Sequence, residues 1–369
     1  MKTHAIRILL LLVLSISLTA CGSDGGDASG EVRTSSEQIL PNLLLEVDGT
    51  VEIRRTGWSE FLPAAFGAIL RQGDLVRLPE GGSAFVFCGD EAAWEAGPNS
   101  IPADGEAHGV PCESARPPRP WPDVAALRGA ADETDTYVVR PRGTALLDDR
   151  PTLVWESAGD GGDTLSLVSV LSDDGESRAP VQVSTGALDW PESWPPLVPG
   201  ATYVLLIGEE TADPDTTLGR GFWLLDEAQA GEVRTREDVL RAHGYSGEAQ
   251  RLVVAELYYS YGLYAEAIEE LEPLAVETSA PPVWLKLGQL YLETGLPLEA
   301  QEAFMQALVR AQALGDLTSV GEAYLGLALA ADLEDNPADF AGNLEEARAL
   351  FNQVGDSTLL AEVERLQDR

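Results

Sequence analysis

The feature that most constrains the fold of this chain is an internal repeat in its last third. Over residues 231–369, alternating β-branched residues give way to Ala, Leu, Glu and Arg at helical spacing. Repeats with a period of about 20 to 50 residues are typical of helical hairpins that stack into an array. The repeat positions are clearest at Trp284, Leu287, Gly288, Tyr291, Ala300, Phe304 and Ala307. A shift of 33 residues toward the amino terminus gives the preceding repeat, with Val254, Ala255, Tyr258, Gly262, Ala267, Leu271 and Leu274.

These positions resemble the tetratricopeptide (TPR) pattern. The resemblance implies that residues 231–369 form an α-helical TPR-type solenoid whose concave groove binds a protein partner. On the inner helices we expect three exposed polar side chains to contact that partner, namely Glu256, Gln289 and Glu322. The alternative is that so few repeats form only a compact helical cap.

The amino-terminal segment predicts export. A basic start and an apolar run precede the sequence Leu-Thr-Ala-Cys that ends at Cys21, so residues 1–20 have the layout of a secretory signal. A cysteine directly after the cleavage site resembles the bacterial lipobox, which implies that Cys21 is acylated. Residues 21–40 are rich in Gly, Ser and Asp and predict a flexible tether. We therefore expect a lipoprotein of the cell envelope, lipid-anchored to the membrane on the extracytoplasmic side; the alternative is an ordinary signal peptide that happens to carry a cysteine.

Residues 41–112 predict a small β-domain. Apolar stretches at 43–47 and 51–54 flank an Asp-Gly turn, and another strand pattern at 84–88 follows a pair of glycines. The segment resembles the FecR-like sensor domain, which implies a β-domain that senses or binds a ligand. The resemblance rests on Val47-Asp48-Gly49-Thr50-Val51, on Gly73-Asp74-Leu75-Val76, on Ala84-Phe85-Val86-Phe87, on Trp94 and on Pro98-Asn99-Ser100.

The cysteine count predicts one disulfide in this domain. If Cys21 carries lipid, Cys88 and Cys112 remain as an even pair in an exported protein, and such pairs are most simply oxidised. Two free thiols are one alternative. Zinc bound with His108 is another, although a structural zinc site needs more ligands than these residues supply. We expect the disulfide to stabilise a β-core that is separate from the helical core.

The middle of the chain predicts a linker and a second β-domain. Prolines dominate residues 113–133 and favour a semi-rigid extended linker, whereas short strands at regular spacing over 134–227 predict a sandwich. The surroundings of Trp155 and Tyr203 resemble immunoglobulin and fibronectin type III modules, in which both residues are core residues. Two further tryptophans, Trp190 and Trp194, are predicted either to cover the edge of the sandwich or to form an exposed binding patch.

The charge and the motifs limit the possible functions. A formal net charge of −37 repels phosphate backbones, so we expect no nucleic-acid partner. The sequence has neither a P-loop nor a nucleophile elbow, and we expect no enzymatic activity, no cofactor and no metal site. The expected fold is multidomain, with two β-rich domains followed by the helical solenoid. The expected function is a membrane-anchored scaffold or adaptor for unknown protein partners; the alternative is an extracytoplasmic sensing or ligand-binding lipoprotein that uses its FecR-like domain.

Overall fold

The computed structural model of the protein describes residues 40–90, 99–112, 121–122, 124, 136–157, 166–173, 175–184, 186–207 and 221–368. These described residues form sixteen strands in four sheets, followed by eight helices. A β-rich amino-terminal part and a carboxy-terminal run of packed helices are therefore present, as predicted. The signal segment, Cys21, nearly all of the tether and most of the 113–133 linker lie outside the described residues. No helix in the described part of the chain combines the length and apolar character needed to cross a membrane.

The first β-domain consists of two four-stranded antiparallel sheets, with strand orders β4-β1-β6-β7 and β3-β2-β5-β8. Its strands are β1 (Asn42–Asp48), β2 (Val51–Arg54), β3 (Leu62–Ala64), β4 (Ile69–Leu70), β5 (Leu75–Arg77), β6 (Ser83–Phe87), β7 (Asn99–Ser100) and β8 (Ala107–Gly109). Between the sheets lies a core that includes Leu44, Val51 and Val86. The predicted disulfide between Cys88 and Cys112 is present and links the end of β6 to the segment after β8.

The second β-domain contains a five-stranded sheet, β10-β16-β15-β12-β13, and a three-stranded sheet, β14-β11-β9. Its strands are β9 (Thr136–Arg140), β10 (Thr144–Leu146), β11 (Leu153–Ser157), β12 (Ser166–Ser172), β13 (Val181–Val183), β14 (Ala187–Leu188), β15 (Thr202–Ile207) and β16 (Gly221–Leu224). Trp155 and Tyr203 are core residues, as expected, and Tyr203 stacks on Phe222. Trp190 and Trp194 are also buried and pack edge to face, so they cover the sandwich and form no exposed patch.

The helical part begins directly after the last strand, where the Asp226 side chain accepts a hydrogen bond from the backbone N–H of Gln229. Proline occupies the start of three helices and a left-handed glycine ends two of them, which are the usual helix start and stop residues. The helices are α1 (Glu227–Ala242), α2 (Gly247–Ser260), α3 (Tyr264–Glu277), α4 (Pro281–Glu293), α5 (Pro297–Leu314), α6 (Leu317–Leu333), α7 (Pro337–Val354) and α8 (Ser357–Gln367).

The repeat glycine and phenylalanine pack as the pattern predicts. A Cβ atom on Gly288 of α4 would lie 2.6 Å from the ring of Phe304 on α5, so only glycine allows this close approach. Phe304 is fully buried, and the ring of Trp121, from the segment between the β-domains, lies 5.9 Å from it. The helices therefore share one core, and part of the proline-rich segment packs against it.

The first β-domain has its own core between its sheets, but one of these sheets also packs into the helical core, contrary to the expectation of separate cores. Leu43 and Leu45 of β1 belong to the same buried cluster as the helical residues, whereas Leu44 faces the core of the β-domain itself. Because alternate residues of a strand point to opposite faces, three consecutive leucines bury both faces of this sheet. The β-domain is thus packed onto the helical array.

Candidate functional site: a cleft between the first β-domain and the helices

A cleft lies between the first β-domain and the inner helices, the name used here for α2, α4 and α6. One wall comes from the β2–β4 region and the other from the inner helices. Its volume is about 80 Å³, counted as the space open to the centres of water molecules. The apolar lining includes Ile53, Leu252 and Leu285. The polar and charged lining consists of Arg55, Trp58, Arg71, Glu256, Lys286, Gln289, Asp316, Thr318, Ser319 and Glu322.

The turn between β3 and β4 brings the two walls together. Gly67 has a positive φ of 84°, and a Cβ atom there would lie 3.3 Å from Leu252 of α2 and 3.4 Å from Pro282 of α4. Its backbone N–H also donates to the carbonyl of Leu44, which fixes the turn to β1. A side chain at this position would be strained and crowded, so glycine lets the β-domain approach the helices closely.

The three residues expected to contact a partner all line this one cleft. Glu256, Gln289 and Glu322 are spaced by 33 residues and lie on successive inner helices. Glu256, expected to be exposed, is buried at 3% exposure, whereas Gln289 and Glu322 are half-buried.

Glu256 forms a buried ion pair with Lys286 of α4. The Lys286 Nζ atom lies 2.9 Å from one carboxylate oxygen of Glu256 and 3.1 Å from the other. The same ammonium group lies 4.2 Å from the ring centroid of Tyr259, a distance at which a cation and an aromatic face attract each other. The pair joins α2 to α4 in the floor of the cleft.

A second charged network joins the β-domain to the end of the helical array. Arg55 lies 3.5 Å from Asp74 and 3.6 Å from Asp356, and Arg71 also lies 3.5 Å from Asp356. Asp356 in turn caps α8 by accepting hydrogen bonds from backbone N–H groups. Burial is the main cause that lowers the pKa of Arg71 and raises the pKa of Asp74.

Glu322 of α6 is the acidic group of the cleft with the fewest partners. It accepts no hydrogen bond from another described residue, and burial raises its pKa to about 7 against the opposing effect of Arg55 and Arg71. Its neighbour Asp316 caps α6 by accepting from the backbone and hydroxyl of Ser319, and burial raises the pKa of this carboxyl as well. Burial therefore raises the pKa of two carboxyl groups on the helical wall.

Several buried donors at the cleft have no hydrogen-bond partner among the described residues. These atoms are the indole Nε1 of Trp58, the Nε of Arg71 and the hydroxyl of Thr318. The Nε and one Nη of Arg55 also lack a hydrogen bond, but they form the ion pairs with Asp74 and Asp356 described above. The sequence analysis did not single out any of these residues. The local pattern marks Arg55 and Trp58 only as residues after a strand, and it carries no signal that helices far along the chain bury them.

The other residues singled out in the sequence lie away from the cleft. The His108 ring nitrogen Nε2 lies 2.8 Å from Asp104, at a distance for a hydrogen bond within the first β-domain. His243 lies at the end of α1, where its Nδ1 atom faces the carbonyl of Val239. Cys88 and Cys112 are joined to each other, and Cys21 lies outside the described residues. Within the described ranges, no group of three or more His, Cys, Asp or Glu side chains is arranged to hold a metal ion.

Comparison with known proteins leaves the cleft as the main guide to function. No protein-family model matches the chain, and no curated protein matches it.

Proposed function

We propose that the protein is an extracytoplasmic, lipid-anchored ligand-binding protein, and that the cleft between the first β-domain and the inner helices is its binding site. The observation that carries the proposal is the cleft itself, in which residues of three inner helices face buried, unpaired donors of the β-domain. Ligand sites are commonly concave, partly apolar and furnished with a few convergent polar groups.

The proposal assigns the finer identities that the sequence suggests. The first β-domain is FecR-like, the second is an immunoglobulin- or fibronectin-like sandwich, and the helices are TPR-type repeats. The inner helices would then present their concave side to the β-domain of the same chain, and a ligand would bind between the two.

A ligand site between the first β-domain and the inner helices suits a sensor. A ligand that contacts both walls of the cleft binds the closed arrangement of β-domain and helices more tightly than an open one, and so shifts the population toward it. The lipid anchor at Cys21 would hold the β-domain and the helices at the membrane surface.

The test is to fill the cleft. Ala68 lines the β-domain wall, and Ala68→Leu should occupy part of the space. The matched control is Ala341→Leu, the same change at an exposed position of α7. Thermal unfolding is measured with a panel of small amines, carboxylates, zwitterions and sugars. At least one class should raise the unfolding temperature of the wild type and the control but not of Ala68→Leu. If no class does so, the proposal is wrong.

A second candidate function is the scaffold or adaptor role, in which the helical repeats bind a protein partner. One observation favours it: three large apolar side chains of α5 are more than half exposed and share one helix face, namely Leu298, Met305 and Val309. Cross-linking in intact cells would compare the wild type with Met305→Glu and with Gln301→Glu, which adds the same charge at another exposed position of α5. Loss of the same cross-linked partner only in Met305→Glu would support this role, and its retention would exclude the α5 surface.

A further inference from the structure

The β-domain wall of the cleft offers hydrogen-bond donors without acceptors. The Nε and one Nη atom of Arg55 lie 3.5 Å from Asp74 and 3.6 Å from Asp356, so these carboxylates already compensate its charge. Trp58 is more than nine-tenths buried, and its indole N–H has no hydrogen bond among the described residues. The Nε atom of Arg71 is also buried and has no hydrogen-bond partner among the described residues. A guanidinium or indole N–H can only donate, so these groups require an acceptor, and a carboxylate is the acceptor that guanidinium groups match best.

The helical wall offers the opposite charge. Glu322 lines the cleft without a hydrogen bond from a described residue, and Asp316 lies beside it as a second carboxyl group. The hydroxyl of Thr318, which is 5% exposed, is also unpaired and can either donate or accept. A carboxylate accepts only, so this wall requires a donor, and an ammonium group supplies both the donors and the compensating charge.

The size of the cleft limits the ligand. A water molecule needs roughly 10–15 Å³ of such space, so a cleft of about 80 Å³ holds about five to eight non-hydrogen atoms. Side chains such as Ile53 and Leu285 add apolar surface between the two polar walls. The ligand is therefore small, charged at both ends and compatible with a short apolar or hydroxylated side chain.

We infer that the cleft binds a free, small α-amino acid, with its carboxylate toward Trp58 and Arg71 and its ammonium group toward Glu322. The inference rests on the proposed ligand-binding function and names the class of its ligand. Both charges of the ligand are needed, because the unpaired N–H groups of Trp58 and Arg71 can only donate and the carboxylate of Glu322 can only accept.

The experiment uses titration calorimetry with the full-length protein to compare L-alanine with two smaller molecules that each keep one of its charged groups. L-alanine carries both charges, ethylamine lacks the carboxylate, and propionate lacks the ammonium group. L-alanine should bind, and each of the other two should bind at least about tenfold more weakly, because each leaves one set of buried groups unpaired.

Two variants test separately how each wall of the cleft contributes to L-alanine binding. Glu322→Gln should weaken L-alanine binding at least about tenfold, whereas Glu364→Gln, an exposed change of the same kind on α8, should leave it unchanged. Trp58→Phe removes one N–H group and should weaken the binding of L-alanine without changing that of ethylamine. Circular dichroism of each variant checks that it is folded.

The outcomes distinguish this inference from the proposed function. Equal binding of ethylamine and L-alanine, or unchanged binding by Glu322→Gln, would overturn the amino-acid assignment. If another class of compound binds in a way that Ala68→Leu blocks, and no zwitterion does, the inference is wrong and the proposed function stands. If nothing binds in the cleft and only water occupies it, both are wrong.

Discussion

The ring of Phe304 on α5 occupies the position that a Cβ atom on Gly326 of α6 would need. Gly288 of α4 meets the same ring from the neighbouring helix, so one buried aromatic side chain sets the spacing of three helices. The helical array that forms one wall of the cleft therefore depends on two positions that tolerate no side chain.

We expect Gly326→Ala to destabilise the protein by about 1–3 kcal/mol, because Phe304 is fully buried and has no room to move away. Gly342→Ala is the matched control on α7, where an added Cβ atom would meet nothing within 4 Å. This change should stabilise the protein by about 0.5–1 kcal/mol, since alanine is the better helix former. Urea denaturation measures both effects. A stabilising effect of equal size in the two variants would show that helix propensity, and not the contact with Phe304, decides the outcome.

The ion pair of Glu256 and Lys286 should respond more strongly to loss of one partner than to loss of both. Glu256→Gln leaves a buried ammonium group without its counter-charge and should cost about 3–5 kcal/mol. Glu256→Gln combined with Lys286→Met should cost clearly less than the sum of the single changes. Equilibrium unfolding of the four proteins gives the coupling energy. Glu345→Gln, which breaks an exposed pair with Arg348 on α7, should change stability by less than about 1 kcal/mol.

Stability should fall as the pH rises from about 5 to about 8. Burial raises the pKa of Glu322 and of Glu266 to about 7, from an ordinary value of 4.5. Between these two values the folded state binds more protons than the unfolded state, so the free energy of unfolding decreases with rising pH. Each group accounts for up to about 3 kcal/mol, and the loss is complete above the folded-state pKa.

Glu322→Gln and Glu266→Gln should each remove part of this pH dependence, and Glu302→Gln, an exposed change on α5, should not. The measurement is urea unfolding of each protein at several pH values between 5 and 8. An unchanged slope in both buried variants would mean that neither carboxyl group titrates in this range.

Loss of the disulfide should weaken the helices as well as the first β-domain. The bond between Cys88 and Cys112 closes a loop over a sequence separation of 24 residues, and its removal costs about 3 kcal/mol in the chain-entropy model. Because Leu43, Leu45 and Phe87 belong to the helical cluster, the loss should reach the helices. We expect Cys88→Ala/Cys112→Ala to lower the unfolding midpoint of the helical circular dichroism signal. An unchanged helical midpoint would mean that the two parts unfold independently.

Cys21→Ser should release the protein from the membrane into the soluble exported fraction. The lipobox resemblance places the acyl chains on this cysteine, and stable anchoring by lipid needs more than one chain. Cell fractionation followed by immunoblotting checks the result. A variant that remains in the membrane fraction would place the anchor elsewhere.

Local sequence pattern was enough to predict most of the secondary structure. Strands lie at the predicted stretches because β-branched and aromatic residues alternate there between Gly and Asp turns, and helices lie where Ala, Leu and Glu recur at helical spacing. The disulfide also followed from a count, since two cysteines remained after Cys21 was assigned to the lipid. Glu256, Gln289 and Glu322, which recur in the sequence at 33-residue intervals, line one cleft.

Only the tertiary structure decided what that surface faces. Periodicity describes which residues share a side of a helix, but it does not say whether solvent, a partner or another domain of the chain covers that side. The β-domain covers it with residues such as Arg55 and Gly67, which are nearly 200 residues or more away in the sequence from the helical residues that they contact. Burial of Glu256, the high pKa of Glu322 and the cleft itself all arise from that long-range packing, which no short stretch of sequence specifies.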